Sequence, residues 1–413
     1  MAQERQAVPD VCLLFSRPFL SGAPDRGVVG WTTGSDERTA MSLCTSPRRA
    51  TLVASSGLAA ATLVALVMTS SAGAATTSSH PEAGTTTVKP LVAHTIINGA
   101  AHGWSSPDDL TRIGRDLYVS FQNGVASTGG TAPAPTQSTI VEFRLDGTIE
   151  RTWELTGKCD GLTADPTHQR LIATVNEDGN SSLYTIPAGG GAPSHYAYDA
   201  NPLPHGGGTD SITIYRGNIY VIASAPTTAG GPALYQVTLA NHVAHLAAAP
   251  FYDSSAATIA NTGQHNTPVN LAITDPDSST VVPKESPRFA GDFMLDAQGD
   301  QQAIFANHLG TDGQHLQVLD LSQSVDDTAF VTSSDGALVT DDSNADSVVR
   351  ITGTLTPGRA YASVTPGNAN TPPVPAVANY LGSIDLQTGT VTAVITSSPT
   401  LEPHSLMFVP GAD

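Results

Sequence analysis

Six short segments of this 413-residue chain open on an acidic residue or a histidine. Asp108 and Asp109 open PDDLTRI, Asp160 opens CDGLTAD and Asp210 opens TDSITIY. Asp292 precedes FMLDAQ, Asp327 lies in VDDTAF, and His404 stands in EPHSLMF. If the apolar stretches that follow are equivalent strands, these side chains converge. A ring of carboxylates and an imidazole is electrostatically costly, because like charges in a partly desolvated funnel raise each other's pKa. A cation on the axis lowers that cost, and flexible oxygen-rich coordination suits Ca²⁺ better than Zn²⁺. Asp108, Asp109, Asp160, Asp210, Asp292 and Asp327 are therefore candidate calcium ligands. Asn123, Asn176, Glu177, Asn307 and Asn344 end the strands that come next, and Asn176 joins the candidate set. An Asp before a strand is also an ordinary turn residue, bonding backbone amides two positions on, and repeats reuse their turns. The sequence leaves both readings open.

Three histidines flank the same segments: His102 in AAHGWSSPDD, His205 in PHGGGTD, and His404. A His beside a carboxylate can act as a general base, and His205 and His404 are the candidate catalytic residues. Each is equally readable as a plain loop histidine. Cys159 adjoins Asp160 and reads as a buried, inert thiol, since a nucleophile needs a paired His and a depressed pKa. There is no GxSxG, HExxH or CxxC motif, and the GGG at 206–208 lacks the surroundings of a phosphate loop.

The elements that must position these residues are short strands. LTRI, LYVSFQ, TIVEFRL and IERTWEL are followed by LTAD, LIATVN, SLYTI and HYAYD, then by SITIY, IYVIAS, ALYQVTL and VAHLAAA. Four strands per unit, three times over at a period of about 50 residues, is the pattern of β-propeller blades. Residues 250–290 loosen it and read as an insertion or a degenerate blade, and the Pro-rich 365–379 interrupts it again. The expected fold is all-β, a six-bladed propeller of four antiparallel strands per blade, with seven blades as the alternative. The strand near His94–Asn98 and the final SLMFV are placed to close the ring.

Residues 1–40 lack periodicity and read as an extension ahead of the true start. Met41 opens an expected signal peptide: Arg48 and Arg49, an apolar stretch from Leu52 to about Met68, and the small-residue site Ala72-Gly73-Ala74. A membrane anchor is the alternative. Residues 75–90 form a Ser/Thr-rich linker, and 91–413 the propeller. The first 74 residues hold 6 of 18 basic and 5 of 37 acidic residues, so the remainder carries 12 against 32, a net charge of −20. That argues against nucleic acid and anionic membrane surfaces as partners. With Cys12 and Cys44 gone, Cys159 stands alone and no internal disulfide forms. A secreted monomer is expected.

The units CDGLTADP…RLIATVNEDGNSSLYTI and TDSITIYRGNIYVIAS resemble blades of the superfamily that holds NHL-repeat proteins, gluconolactonase-like and paraoxonase-like calcium propellers, and streptogramin lyases. The chain also looks like a family of exported actinobacterial propeller proteins. The resemblance covers about residues 100–350. It implies an axial calcium held by Asp, Asn and Glu from different blades, with Asp210 matching the Asp and Asn176 an Asn. The expected Glu of the first blade is replaced by Asp108 or Asp109. The resemblance to the lyases implies an axial His base, with His404 or His205 in that place. The resulting expectation is a Ca²⁺-dependent hydrolase of lactones or esters, in which His205 or His404 activates water. The alternatives are a non-enzymatic extracellular binding or scaffold module, and a His-based lyase.

Overall fold

Runs such as LIATV, IYVIA and FMLDA are apolar without alternation, which means that both faces of their strands are covered. The computed structural model describes residues 88–224, 230–247, 249–368, 378–395 and 401–411. The expected extension at 1–40 and leader at 41–74 lie outside the described residues, as do most of the linker and most of the Pro-rich loop. The described chain is all-β, with three single-turn 3₁₀ segments and no α-helix.

β1 (Val92–Asn98) comes first and is used last. The first antiparallel sheet is β2 (Pro107–Ile113), β3 (Asp116–Phe121), β4 (Gln137–Phe143) and β5 (Ile149–Thr156). The second is β6 (Cys159–Asp165), β7 (Arg170–Val175), β8 (Ser182–Pro187) and β9 (Ser194–Tyr198). The third is β10 (Thr209–Tyr215), β11 (Asn218–Ala223), β12 (Leu234–Ala240) and β13 (Val243–Leu246), joined to the second by a short parallel pairing of β13 with β9. Its first hairpin turns at Arg216 and Gly217, both at positive φ (50° and 80°), as a tight two-residue turn requires.

β14 (Ala256–Ile259) and β15 (Pro268–Asn270) are appended to the outer edge of a fourth group, β16 (Pro276–Val281), β17 (Phe293–Ala297), β18 (Gln302–Asn307) and β19 (His315–Asp320). The stretch 250–290 is thus part insertion and part first strand. The last two groups are interlaced. The chain runs from β20 (Val325–Phe330) into β21 (Gly336–Asp342) and β22 (Ser347–Thr352) of the neighbouring sheet. It then returns to pair β23 (Ala360–Val364), β24 (Tyr380–Ile384) and β25 (Val391–Ile395) with β20. β26 (Leu406–Pro410) adds to β21, and β1 to β22, so both ends of the described chain share one sheet.

The architecture is propeller-like. β2 packs beside β6, β6 beside β10, β10 beside β16, β16 beside β20 and β20 beside β26, which meets β2 again. A hydrophobic cluster fills each junction between successive sheets. Tyr118, Ile140 and Trp153 meet Leu162, Leu171 and Ala173, for example, and Val339 and Val409 close back on Leu110 and Val119. Sheets packed face to face in this way leave the first strand of each group lining the axis.

Candidate functional site

A β-bulge interrupts the start of each of the five first strands β2, β6, β10, β16 and β20. The register shifts fall between Pro107 and Leu110, Cys159 and Gly161, Thr209 and Ile212, Pro276 and Ser278, and Val325 and Thr328. Each bulge holds an Asp: Asp108, Asp160, Asp210, Asp277 and Asp326. A bulge adds a residue to one strand and re-aims its side chain. These five carboxylates, with His404 ahead of β26, line one axial cavity of about 480 Å³.

The residue after each ring member forms a second tier: Asp109, Gly161, Ser211, Ser278, Asp327 and Ser405. Its two carboxylates are turned to backbone. Asp109 Oδ2 accepts from the Leu162 amide at 2.5 Å, and Asp327 Oδ2 from the Leu406 amide at 2.7 Å, each on the next first strand around the axis. Gly161 is there because a Cβ would lie 2.3 Å from Thr174 Oγ1 and 2.6 Å from the Asp210 carbonyl. Beyond this tier the channel continues into a second cavity of about 390 Å³, lined by hydroxyls such as Thr111, Thr163 and Thr213.

The first tier is compensated unevenly. Lys158 Nζ lies 2.8 Å from Asp160 Oδ1 and also pairs with Glu177. Burial works against that ammonium, but Asp160, Glu177 and Asp108 outweigh it and hold its pKa above the usual lysine value. Asp160 further accepts from Gln122 Nε2 at 3.0 Å and from the Glu177 amide at 3.3 Å. Burial pushes Asp108 up to about 6, against the pull of Lys158 and His404. Across the funnel, Asp277 and Asp326 hydrogen-bond to each other. Burial drives both well above the usual carboxylate range, and the shared bond raises Asp277 while lowering Asp326. Gln298 Nε2 donates to Asp277 Oδ2 at 2.9 Å. His404 Nδ1 lies 3.2 Å from Asp326 Oδ2, and Asp341 Oδ1 fixes its backbone by accepting from the amides of His404 (3.0 Å) and Ser405 (2.7 Å).

The structure therefore brings together Asp108, Asp160, Asp210 and His404, with Asp109 and Asp327 one step deeper. It does not bring in Asp292, Asn176 or His205. Asp292 precedes β17, a second strand, and accepts from Asn307 Nδ2 at 2.6 Å. Its expected place belongs to Asp277, in a strand within the stretch that reads as an insertion or a degenerate blade. Asn176 is a turn residue at φ 70°, with Oδ1 accepting from the Lys158 amide and Nδ2 donating to the Asn180 carbonyl. His205 is fully buried, 2.6 Å from the Tyr235 hydroxyl through Nδ1 and 2.7 Å from the Gly208 carbonyl through Nε2. Its burial pushes its pKa down. His102 stacks on Trp104 and does not line the cavity. Cys159 is buried, and burial, then Asp160 and Asp109, push its thiol pKa up, which keeps it protonated.

Sequence reasoning missed Asp277, Asp326 and Lys158. The signal for the first two was the repeated Asp followed by Asp, Gly or Ser in PDDL, CDGL, TDSI, PDSS and VDDT.

Among the described residues no three His, Cys, Asp or Glu side chains converge closely enough to hold a metal ion. The donor set explains this. Asp109 and Asp327 serve amides, Asp277 and Asp326 hydrogen-bond to each other, and Asp160 takes an ammonium. Calcium, the expected occupant, does not fit these residues as they stand, and no step below passes through it.

No protein-family model matches the chain, and no curated protein matches it in sequence. Among solved structures it is similar to the periplasmic gluconolactonase of Pseudomonas aeruginosa at 15% identity, with a TM-score of 0.41 over 74% of this chain and 88% of that one. A candidate 6-phosphogluconolactonase of Bacteroides uniformis gives 12% and 0.37 over 72% and 85%. A protein of unknown function from Desulfotomaculum acetoxidans gives 10% and 0.39 over 75% and 90%.

Proposed function

We propose that the chain is a secreted, six-bladed β-propeller whose axial funnel hydrolyses a small ester or lactone, with His404 as general base and Asp326 as the group that orients it. The observation that carries this reading is the 3.2 Å pairing of His404 Nδ1 with Asp326 at the wall of a 480 Å³ cavity. An Nδ1–H donated to a carboxylate leaves the Nε2 lone pair for a substrate proton. Among the described residues nothing else binds Nε2, and the His404 side chain is one-third exposed.

The step follows from those groups. Nε2 takes a proton from water as its oxygen attacks the carbonyl carbon. The imidazolium, stabilised by Asp326, then returns the proton to the departing alkoxide, giving acid and alcohol. The Lys158 ammonium and the Gln122 amide line the same cavity but are engaged there by Asp160 and Glu177. An anionic substrate, such as a sugar phosphate, would be repelled by the carboxylate wall. The test is proton release at pH 7 to 8 by the full chain over a panel of uncharged and amine-bearing esters and lactones. Saturable hydrolysis supports the reading. A panel left untouched, with the protein folded, refutes it.

A further inference from the structure

Asp210 differs from the other first-tier carboxylates. Asp108 has the offsetting pull of Lys158 and His404, Asp160 has Lys158 and Gln122, Asp277 has Gln298 and its hydrogen bond with Asp326, and Asp326 has His404. Asp210 lies in the bulge of β10, is only 5% exposed and lines the cavity, yet among the described residues its carboxylate accepts no hydrogen bond. The strongest charges acting on it are like charges: Asp277, Glu177, Asp160 and Asp108 all act in the same sense as its burial. Asp275 adds to the acidic wall of the cavity. The one lysine of the cavity is already spoken for by Asp160 and Glu177.

A mostly buried carboxylate that faces a cavity among like charges, with no partner of its own, is costly, so this sector is shaped for a positive group that donates hydrogen bonds. A metal ion needs several ligands converging on a point, and the described residues offer no such set. An ammonium needs less. Lys158 shows the mode next door, its ammonium 2.8 Å from one carboxylate oxygen and paired with a second acid. We propose that the Asp210 sector of the funnel binds an organic primary ammonium, so that the molecule handled there is an amine. Calling that amine the substrate rests on the hydrolytic reading above, whereas its binding does not.

The test is calorimetric titration of the full chain with putrescine at low ionic strength, and separately with CaCl₂, in wild type, Asp210→Asn and the surface control Asp146→Asn. Wild type is expected to bind putrescine. Asp210→Asn is expected to weaken binding at least tenfold and to melt at a higher temperature than ligand-free wild type, because one of several crowded like charges is gone. That rise also shows that the variant folds. Asp146→Asn should keep the affinity. Putrescine binding without any ester or lactone turnover would leave this inference standing and remove the hydrolytic reading alone. No putrescine binding by wild type, an unchanged affinity in Asp210→Asn, or Ca²⁺ binding through Asp210 in place of putrescine would each overturn it.

Discussion

Replacing Asp108 by Asn should make the protein more stable at pH 8 and leave it unchanged near pH 4. Folding moves this carboxyl from the ordinary 3.8 to about 6, chiefly by burial. A raised carboxylate pKa means that the folded state binds the proton more tightly than the unfolded state. The group therefore destabilises the fold fully above pH 6, and the penalty fades as the pH falls toward 4. Roughly two units at about 1.4 kcal/mol each is about 3 kcal/mol. Asn carries no charge and escapes the penalty. Burial pushes Asp160, Asp210, Asp277 and Asp326 in the same direction, so wild type itself should gain stability as the pH drops from 8 toward 5. His205 opposes this. Its pKa is held below the usual 6.5, so stability linked to it is lost as pH falls below that value, which sets the optimum in mild acid. The assay is urea unfolding of wild type and Asp108→Asn at pH 4, 6 and 8, with the m-value as a check that the same surface unfolds. An Asn variant less stable at pH 8, or equally advantaged at pH 4, would refute the electrostatic argument.

Lys158→Met should cost roughly 3 kcal/mol at pH 8 by stranding Asp160 and Glu177, and much less at pH 5, where carboxyls take up protons; the same unfolding series measures it. Gly161→Ala should cost about 1–3 kcal/mol, because its Cβ would press on Thr174 and on the β10 backbone; thermal unfolding reports it. Cys159 should resist iodoacetamide in the native protein and react once unfolded, a difference read by intact mass.

The strand repeats and the Asp at each strand mouth were legible in the sequence because both are local. PDDL, CDGL and TDSI carry their chemistry within four residues. What local pattern cannot supply is partner choice. GALVTDD and SVVRIT read as the next strands in line after TAFVTS, yet they belong to the neighbouring sheet, and only packing between sheets decides that. The same limit hid Asp277. A channel-lining strand such as PDSSTV faces polar solvent on one edge, so it lacks the apolar run that marks the strands behind it, and FMLDA, which has such a run, reads as the inner strand in its place. His205 and His404 look alike as flanking histidines. Tyr235, from a strand 30 residues on, is what draws one of them into the core.

Those two histidines give the most direct test of the account: kcat on whichever ester or lactone the wild type turns over, measured for His404→Gln and His205→Gln under conditions where each variant is folded. His404→Gln is expected to lose about 100-fold or more in kcat, the contribution of a positioned general base, while His205→Gln loses stability and keeps its rate per folded molecule. A His404→Gln enzyme as fast as wild type, or a rate carried by His205, would contradict a site built on the axial funnel.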